Sequence, residues 1–147
     1  TTNGGYPLDQ NIYQSVKGMT AAEATCKEGG VIIDVSACSD GHGGEDFYNT
    51  LKDAADIQKA MDDILARGRN ETVFDQWESQ ILLRMLLKYT IIMVTEAPKD
   101  MVEAMHMKYA ASIDEALAMA KAIVTAKGVS EPKITVIPDG VSVIVKE

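Results

Sequence analysis

The chain has 147 residues, of which 46% are hydrophobic and 24% charged. These values are typical of one folded domain with a buried core and not of a disordered segment. The formal net charge is −8 at pH 7, and no cluster of Lys and Arg offers a footprint for phosphates. The charge balance therefore argues against nucleic acid and against anionic membrane surfaces as partners. A bound anion must be held by a local arrangement of side chains.

The spacing of the cysteines and the hydropathy of the chain indicate in which cellular compartment the protein resides. Cys26 and Cys38 lack CxxC spacing and have no His beside them, which favours reduced, mostly buried thiols over a metal site. No hydrophobic run approaches the roughly 18 residues that span a bilayer, and no signal peptide is visible. We therefore expect a cytoplasmic protein.

The beginning of the chain is itself unusual. It starts at Thr1 without a methionine and enters the Gly4-Gly5 turn at once. In an α/β protein, a Gly-rich turn that leads into a helix normally follows a strand. We therefore interpret the chain as a piece of a larger protein, with that strand missing or present only as its tail.

Two short helices are predicted next. The first should run from about residue 8 to residue 17, because Pro7 lies near its start and Gly18 just past its end. Thr20 and Glu23 then form a capping box, which predicts that a second short helix begins immediately.

The rest of the chain alternates strands with helices. Apolar β-branched runs predict buried strands at residues 31–36, 90–95 and 133–137, the last pairing through a turn with residues 141–145. Helices are predicted at residues 46–51, 55–67, 72–88 and 98–106, and from the capping box at 112–115 to Gly128. The predicted fold is α/β: residues 1–147 form a single Rossmann-like three-layer domain, a mainly parallel sheet flanked by helices with a C-terminal β-hairpin.

The first helix carries the best candidate binding residues. Tyr13 and Gln14 lie four and three residues before Lys17, so all three project from roughly one side of the helix. A phenol, an amide and an ammonium suit a small anionic ligand such as a carboxylate. The alternative is an ordinary solvated helix face.

Trp77 and the two histidines are weaker candidates. Trp77 shares a predicted helix with Phe74 and Ile81 at core spacing, which favours a core tryptophan over one that lines a cleft. His42 lies in a Gly-rich loop at the predicted carboxyl end of a strand, where it either binds a ligand or packs on the next helix. His106 has no partner at ligand spacing and is interpreted as a surface or core histidine.

The chain contains no complete catalytic constellation. It lacks the HExxH, P-loop and GxSxG motifs, and no two histidines are placed to act from opposite faces of a substrate. We therefore assign no catalytic residue and no metal ligand to this chain.

A run of unusual sequence words resembles one known family. Residues 4–18, GGYPLDQNIYQSVKG, followed by TAAEA at 20–24, GGVII at 29–33 and DGHGGE at 40–45, resemble the start of the C-terminal domain of nickel-dependent lactate racemase. The dense similarity covers roughly the first third of the chain. The remainder is compatible but less distinctive.

The resemblance implies a role for particular residues. Gln14 and Lys17 correspond to the residues that reach the lactate carboxylate, Tyr13 to an adjacent active-site tyrosine, and Trp77 to a cleft tryptophan. The catalytic histidines and the lysine that carries a nickel pincer nucleotide are implied to belong to an N-terminal domain outside this chain. The implied reaction interconverts D- and L-lactate by hydride transfer, and this chain alone should be inactive.

Other functions stay open. The substrate could be another 2-hydroxy acid, such as malate or a sugar acid. A different class is a non-catalytic anion-binding module that uses the Gly-rich turn and Lys17. The expected partners are the N-terminal domain and a small 2-hydroxy acid.

Overall fold

A computed structural model describes residues 1–146. Three strands form a parallel sheet in the order β1-β2-β3: β1 Val31–Val35, β2 Thr90–Val94 and β3 Lys108–Ala110. The helices are α1 Ile12–Thr25, α2 Glu45–Lys52, α3 Ile57–Ala66, α4 Gln76–Leu86, α5 Lys99–Ala104 and α6 Ile113–Ala126. The α/β class and the parallel sheet flanked by helices are confirmed, whereas the Rossmann-like description stays a prediction.

The sheet is covered on both faces. The main core lies on one face, where α1, α2, α3 and α4 pack around Ile32, Ile91 and Met93. On the opposite face α6 packs against Val31, Ile33 and Ile92. Neighbouring strand residues therefore enter different cores, as the alternation of side chains along a strand requires.

The prediction that Gly18 ends the first helix is wrong, because α1 is continuous from Ile12 to Thr25. Asn11 caps the helix by accepting from the Gln14 N–H at 3.0 Å. A Cβ on Gly18 would collide with the side chain of Asn3. Glycine at this position therefore permits a close approach by the N-terminal segment and does not mark a helix end.

Asn3 itself joins that segment to the helix. Its amide donates to the carbonyls of Leu8 and Gln14, at 2.7 and 2.6 Å.

The predicted C-terminal β-hairpin is also wrong. Within the described residues 1–146, the segment 133–146 contributes no named strand, and its one bridge joins Asp139 to Asn3. The Asp139 carboxylate instead accepts from the Val141 and Ser142 amides, both at 3.1 Å, which closes a local turn. The third strand is β3, three residues long and too short to give a recognisable pattern.

The remaining helices agree with the prediction apart from their ends. The helix predicted from residue 72 begins only at Gln76, because Asp75 has a left-handed backbone conformation with φ 56°. Phe74 therefore precedes α4 instead of lying on it. Among the described residues, no helix has both the length and the apolar composition needed to cross a membrane.

Candidate functional site

The Gly-rich loop at residues 40–44 positions the start of α1. The Ile12 and Tyr13 amides donate to the carbonyls of Gly41 and His42, at 3.0 and 3.1 Å. These bonds satisfy amides that the first turn of a helix leaves without an intrahelical acceptor. The loop therefore serves to position α1, and the side chains of that helix carry the candidate chemistry.

The structure brings Tyr13, Gln14 and Lys17 together as the sequence predicts. Lys17 Nζ donates to Gln14 Oε1 at 2.7 Å and lies 5.3 Å from the centroid of the Tyr13 ring. All three side chains are half-buried. Gln14 Oε1 orients the Lys17 ammonium. The two N–H groups on Gln14 Nε2 take no part in that bond and can donate to a ligand. An ammonium and an amide N–H group can both donate to one carboxylate.

The beginning of α4 completes this face of the molecule. The Tyr13 hydroxyl donates to Asp75 Oδ1 at 3.2 Å, and the Tyr13 ring packs perpendicular to the Trp77 ring with 5.9 Å between centroids. Burial and the neighbouring Asp75 carboxylate raise the pKa of Tyr13 to about 12. The phenol therefore stays protonated at neutral pH and acts only as a hydrogen-bonding and packing group.

The interpretation of Trp77 as a core residue is wrong, because 51% of its surface is exposed. Phe74 is still more open, at 77%, while Ile81 is only partly buried. The buried face of α4 is formed by other residues, namely Glu78, Ser79, Leu82, Leu83 and Met85, so Trp77 lies outside the stripe that faces the core. Trp77 instead lies beside Tyr13, and its role in lining a cleft stays a prediction.

His42 packs on the following helix. Its ring stacks on Tyr48 with 4.7 Å between centroids, and Nδ1 accepts from the Gly44 amide at 3.2 Å. Its Nε2 lies 3.6 Å from Glu45 Oε1. These are the contacts expected of the alternative in which His42 packs on the next helix. His106 hydrogen-bonds through Nε2 to the Leu51 carbonyl, 2.9 Å away, as a structural histidine does.

Sequence reasoning missed Glu78, the residue after Trp77. Its side chain is fully buried, and among residues 1–146 no hydrogen-bond partner reaches either carboxylate oxygen. Burial raises the pKa of Glu78 to about 7, although the Lys17 charge opposes the shift and Asp75 adds to it. The available signal was a charged residue on the same helical stripe as Leu82 and Met85, which belong to the core.

These contacts define the class of the protein: a parallel α/β domain with a half-buried ammonium, amide and phenol on one helix face. Across residues 1–146, no group of three or more His, Cys, Asp and Glu is placed to hold a metal ion. The side chains that converge on Lys17 suit recognition of a small carboxylate.

Comparison with known proteins identifies the family. Residues 1–145 match the family model described as "Lactate racemase C-terminal domain", and the chain belongs to this family. It is 57% identical over its whole length to a lactate racemase of Thermoanaerobacterium thermosaccharolyticum. It is 50% identical over 99% of its length to a lactate racemase of Lactiplantibacillus plantarum.

The same likeness holds in three dimensions. The solved lactate racemase apoprotein of Thermoanaerobacterium thermosaccharolyticum superimposes with a TM-score of 0.94 over 99% of this chain, at 57% identity. In each case the chain spans only 34% of the relative's length. The chain therefore corresponds to about one third of those proteins.

Proposed function

We propose that this chain is the substrate-anchoring and cleft-closing domain of a nickel-dependent lactate racemase. The observation that carries the proposal is the Lys17 ammonium, held 2.7 Å from Gln14 Oε1 on a half-buried face of a domain from this family. A single fixed cation with a neighbouring amide matches the carboxylate that every 2-hydroxy acid carries.

Each side chain has a distinct part in this proposal. Lys17 and the Gln14 amide bind the substrate carboxylate, and the Tyr13 ring supports the lysine from one side. Trp77 lines the cleft and helps to exclude water when the domain closes. Fixing the carboxylate holds the substrate while the configuration at its neighbouring carbon inverts, which is a positioning role.

The rest of the reaction is assigned to the N-terminal domain, which is outside this chain. We assign the nickel pincer nucleotide to that domain as well, because the family resemblance implies that the cofactor-bearing lysine belongs there. When bound there it supplies the site that accepts and returns hydride. We therefore expect residues 1–147 alone to show no racemase activity.

Two alternatives have separate consequences. The Lys17–Gln14 pair recognises only the carboxylate end, so a racemase or epimerase for another 2-hydroxy acid would use the same contacts. A non-catalytic anion-binding module would need no second domain. The coding sequence upstream of Thr1 separates these classes, because only the enzyme requires an upstream domain with paired histidines and a cofactor-bearing lysine.

The direct test is lactate racemisation by the full-length protein, co-expressed with the machinery that makes the cofactor and supplied with nickel. We expect conversion of D-lactate to L-lactate and the reverse. Bound nickel without lactate turnover would favour another 2-hydroxy acid. Absence of both nickel and turnover would contradict the racemase proposal.

A further inference from the structure

Asp75 is the N-cap residue of α4, yet its side chain does not cap the helix. An N-cap aspartate normally has an extended backbone, and its carboxylate accepts from an amide of the first turn. Asp75 instead has a left-handed backbone, with φ 56° and ψ 13°, and no first-turn amide within the described chain donates to its carboxylate. A non-glycine residue held in this region is strained, and such strain is concentrated at functional sites. The usual structural role of an N-cap acid therefore does not account for Asp75.

The Gly-rich loop before α2 also leaves room for this carboxylate. A Cβ on Gly44 would lie 3.1 Å from Asp75 Oδ2, which is closer than ordinary van der Waals contact. The backbone of Gly44 is extended, with φ −170°, and any residue can adopt that conformation. Space for the Asp75 carboxylate is therefore what glycine provides at this position.

Tyr13 links Asp75 to the proposed anchor for the substrate. Its hydroxyl donates to Asp75 Oδ1 at 3.2 Å, while Lys17 Nζ lies 5.3 Å from the centroid of the same ring. The Trp77 ring packs perpendicular to that ring, with 5.9 Å between centroids, and the opposite side of α1 is buried in the main core. The wall that this domain provides beside the Lys17 ammonium is therefore formed by Tyr13, Trp77 and Asp75.

The charges around Asp75 leave its carboxylate without an ion-paired cation. Across residues 1–146, no Lys, Arg or His forms an ion pair with it. Half-buried Arg67 reaches the start of α4, but its Nη1 donates to the neutral amide oxygen of Gln76 at 2.8 Å. The next acid on α4, Glu78, adds no positive charge. When a substrate carboxylate occupies Lys17, the negative charge of Asp75 therefore stays uncompensated by a direct contact.

Lactate has one carboxylate, and the proposed function assigns it to Lys17. A 2-hydroxy acid with a second carboxylate, such as malate, adds a negative charge only a few bonds from the first. Charges interact over about 8 Å at physiological ionic strength. We propose that Asp75 repels this second carboxylate and so restricts the site to monocarboxylates. This inference rests on the proposed function and names its substrate class, with Asp75 as a specificity-determining residue.

The test compares two ligands of the same shape and different charge. These are L-malate and its 4-amide, in which a neutral carboxamide replaces the carboxylate remote from the hydroxyl group. Their inhibition constants are measured by competition with lactate in the full-length, nickel-loaded protein at pH 7.5, where both carboxylates of malate are ionised. The wild type should bind the 4-amide roughly tenfold more tightly than malate. A limit on ligand size would weaken both equally, so equal inhibition constants in the wild type would overturn the inference without any variant.

Asp75→Asn removes the charge and preserves the shape of the side chain. Asparagine tolerates the left-handed backbone, and its amide oxygen can still accept from the Tyr13 hydroxyl. The inhibition constant of malate divided by that of the 4-amide should therefore fall from roughly ten toward one in Asp75→Asn. An unchanged ratio in this variant would overturn the inference.

Two further variants serve as controls for the charge. Asp114→Asn makes the same change of net charge at an exposed residue of α6, on the opposite face of the sheet, and should keep the wild-type ratio. Arg67 attracts a second carboxylate, so Arg67→Gln should keep or raise the ratio. A ratio that falls as far in Asp114→Asn as in Asp75→Asn would mean that net charge alone is responsible, and it would overturn the inference.

Lys17→Ala separates a failure of this inference from a failure of the proposed function. If the wild type does not racemise lactate, or Lys17→Ala keeps the wild-type KM for lactate, the anchoring role and this inference both fail. If Lys17→Ala raises that KM while Asp75→Asn keeps the wild-type ratio of inhibition constants, only this inference fails.

Discussion

Tyr13 connects the two halves of the candidate site through different parts of one side chain. Its ring lies under Lys17 and packs perpendicular to the ring of Trp77, while its hydroxyl donates to Asp75. The ring and the hydroxyl can therefore be tested separately.

Tyr13→Phe keeps the ring and should leave the KM for lactate within about twofold to threefold of the wild type. Tyr13→Ala removes the support for the ammonium, worth about 0.5–1 kcal/mol or more, and should raise KM several-fold. Steady-state racemisation kinetics of the full-length protein measure both. Equal losses in the two variants would show that the hydroxyl carries the effect.

The sequence predicted this residue cluster only in part. Tyr13, Gln14 and Lys17 were found because helical spacing alone places them on one face. Asp75 and Glu78 are about 60 positions further along the chain, and only tertiary packing brings them to α1. Trp77 is exposed because α4 turns the stripe of Glu78, Leu82 and Met85 to the core, and the apolar spacing of Phe74, Trp77 and Ile81 suggested a different face.

At the scale of elements, α1 shows how a distant contact overrides a local signal. Gly18 has the appearance of a helix stop, yet the helix continues to Thr25 because glycine there leaves room for Asn3. The contact partner lies 15 positions away, so the local sequence could not show it. The absent hairpin has a similar origin: β-branched residues alone do not provide a strand partner.

Gly18→Ala should destabilise the protein although alanine favours helix by about 1 kcal/mol. The added methyl must displace the Asn3 side chain, which bonds the Leu8 and Gln14 carbonyls, at an expected net cost of about 1–3 kcal/mol. Urea unfolding measures the change.

The double variant supplies the control. In an Asn3→Ala background the side-chain collision is absent, so Gly18→Ala should cost much less than it does in the wild type. An equal cost in both backgrounds would contradict this account of Gly18.

At the scale of the whole molecule, buried acids make stability depend on pH. Asp34 on β1 is fully buried, and burial, together with the nearby Asp9, raises its pKa to about 7. The folded state therefore holds a proton that the unfolded chain releases near pH 4. The stability that protonated Asp34 contributes is fully present below about pH 4, and it is lost as the pH rises through about 7.

Asp34→Asn should remove this loss. The wild type should be less stable at pH 8 than at pH 5, with Asp34 contributing up to about 2.5 kcal/mol to the difference. In Asp34→Asn, the free energy of unfolding should change less between pH 5 and pH 8 than it does in the wild type. Urea unfolding at the two pH values decides this, and an unchanged difference would contradict the buried-acid account.

The central claim is that this domain holds the substrate by its carboxylate, and Lys17→Ala in the full-length, nickel-loaded protein tests it most directly. Lys133→Ala, which removes an exposed lysine far along the chain, is the matched control. A charge-assisted bond contributes about 1.5–3 kcal/mol, so Lys17→Ala should lower kcat/KM for lactate about 10- to 150-fold, chiefly through KM. Lys133→Ala should leave kcat/KM unchanged. Wild-type kinetics in Lys17→Ala would contradict the anchoring role.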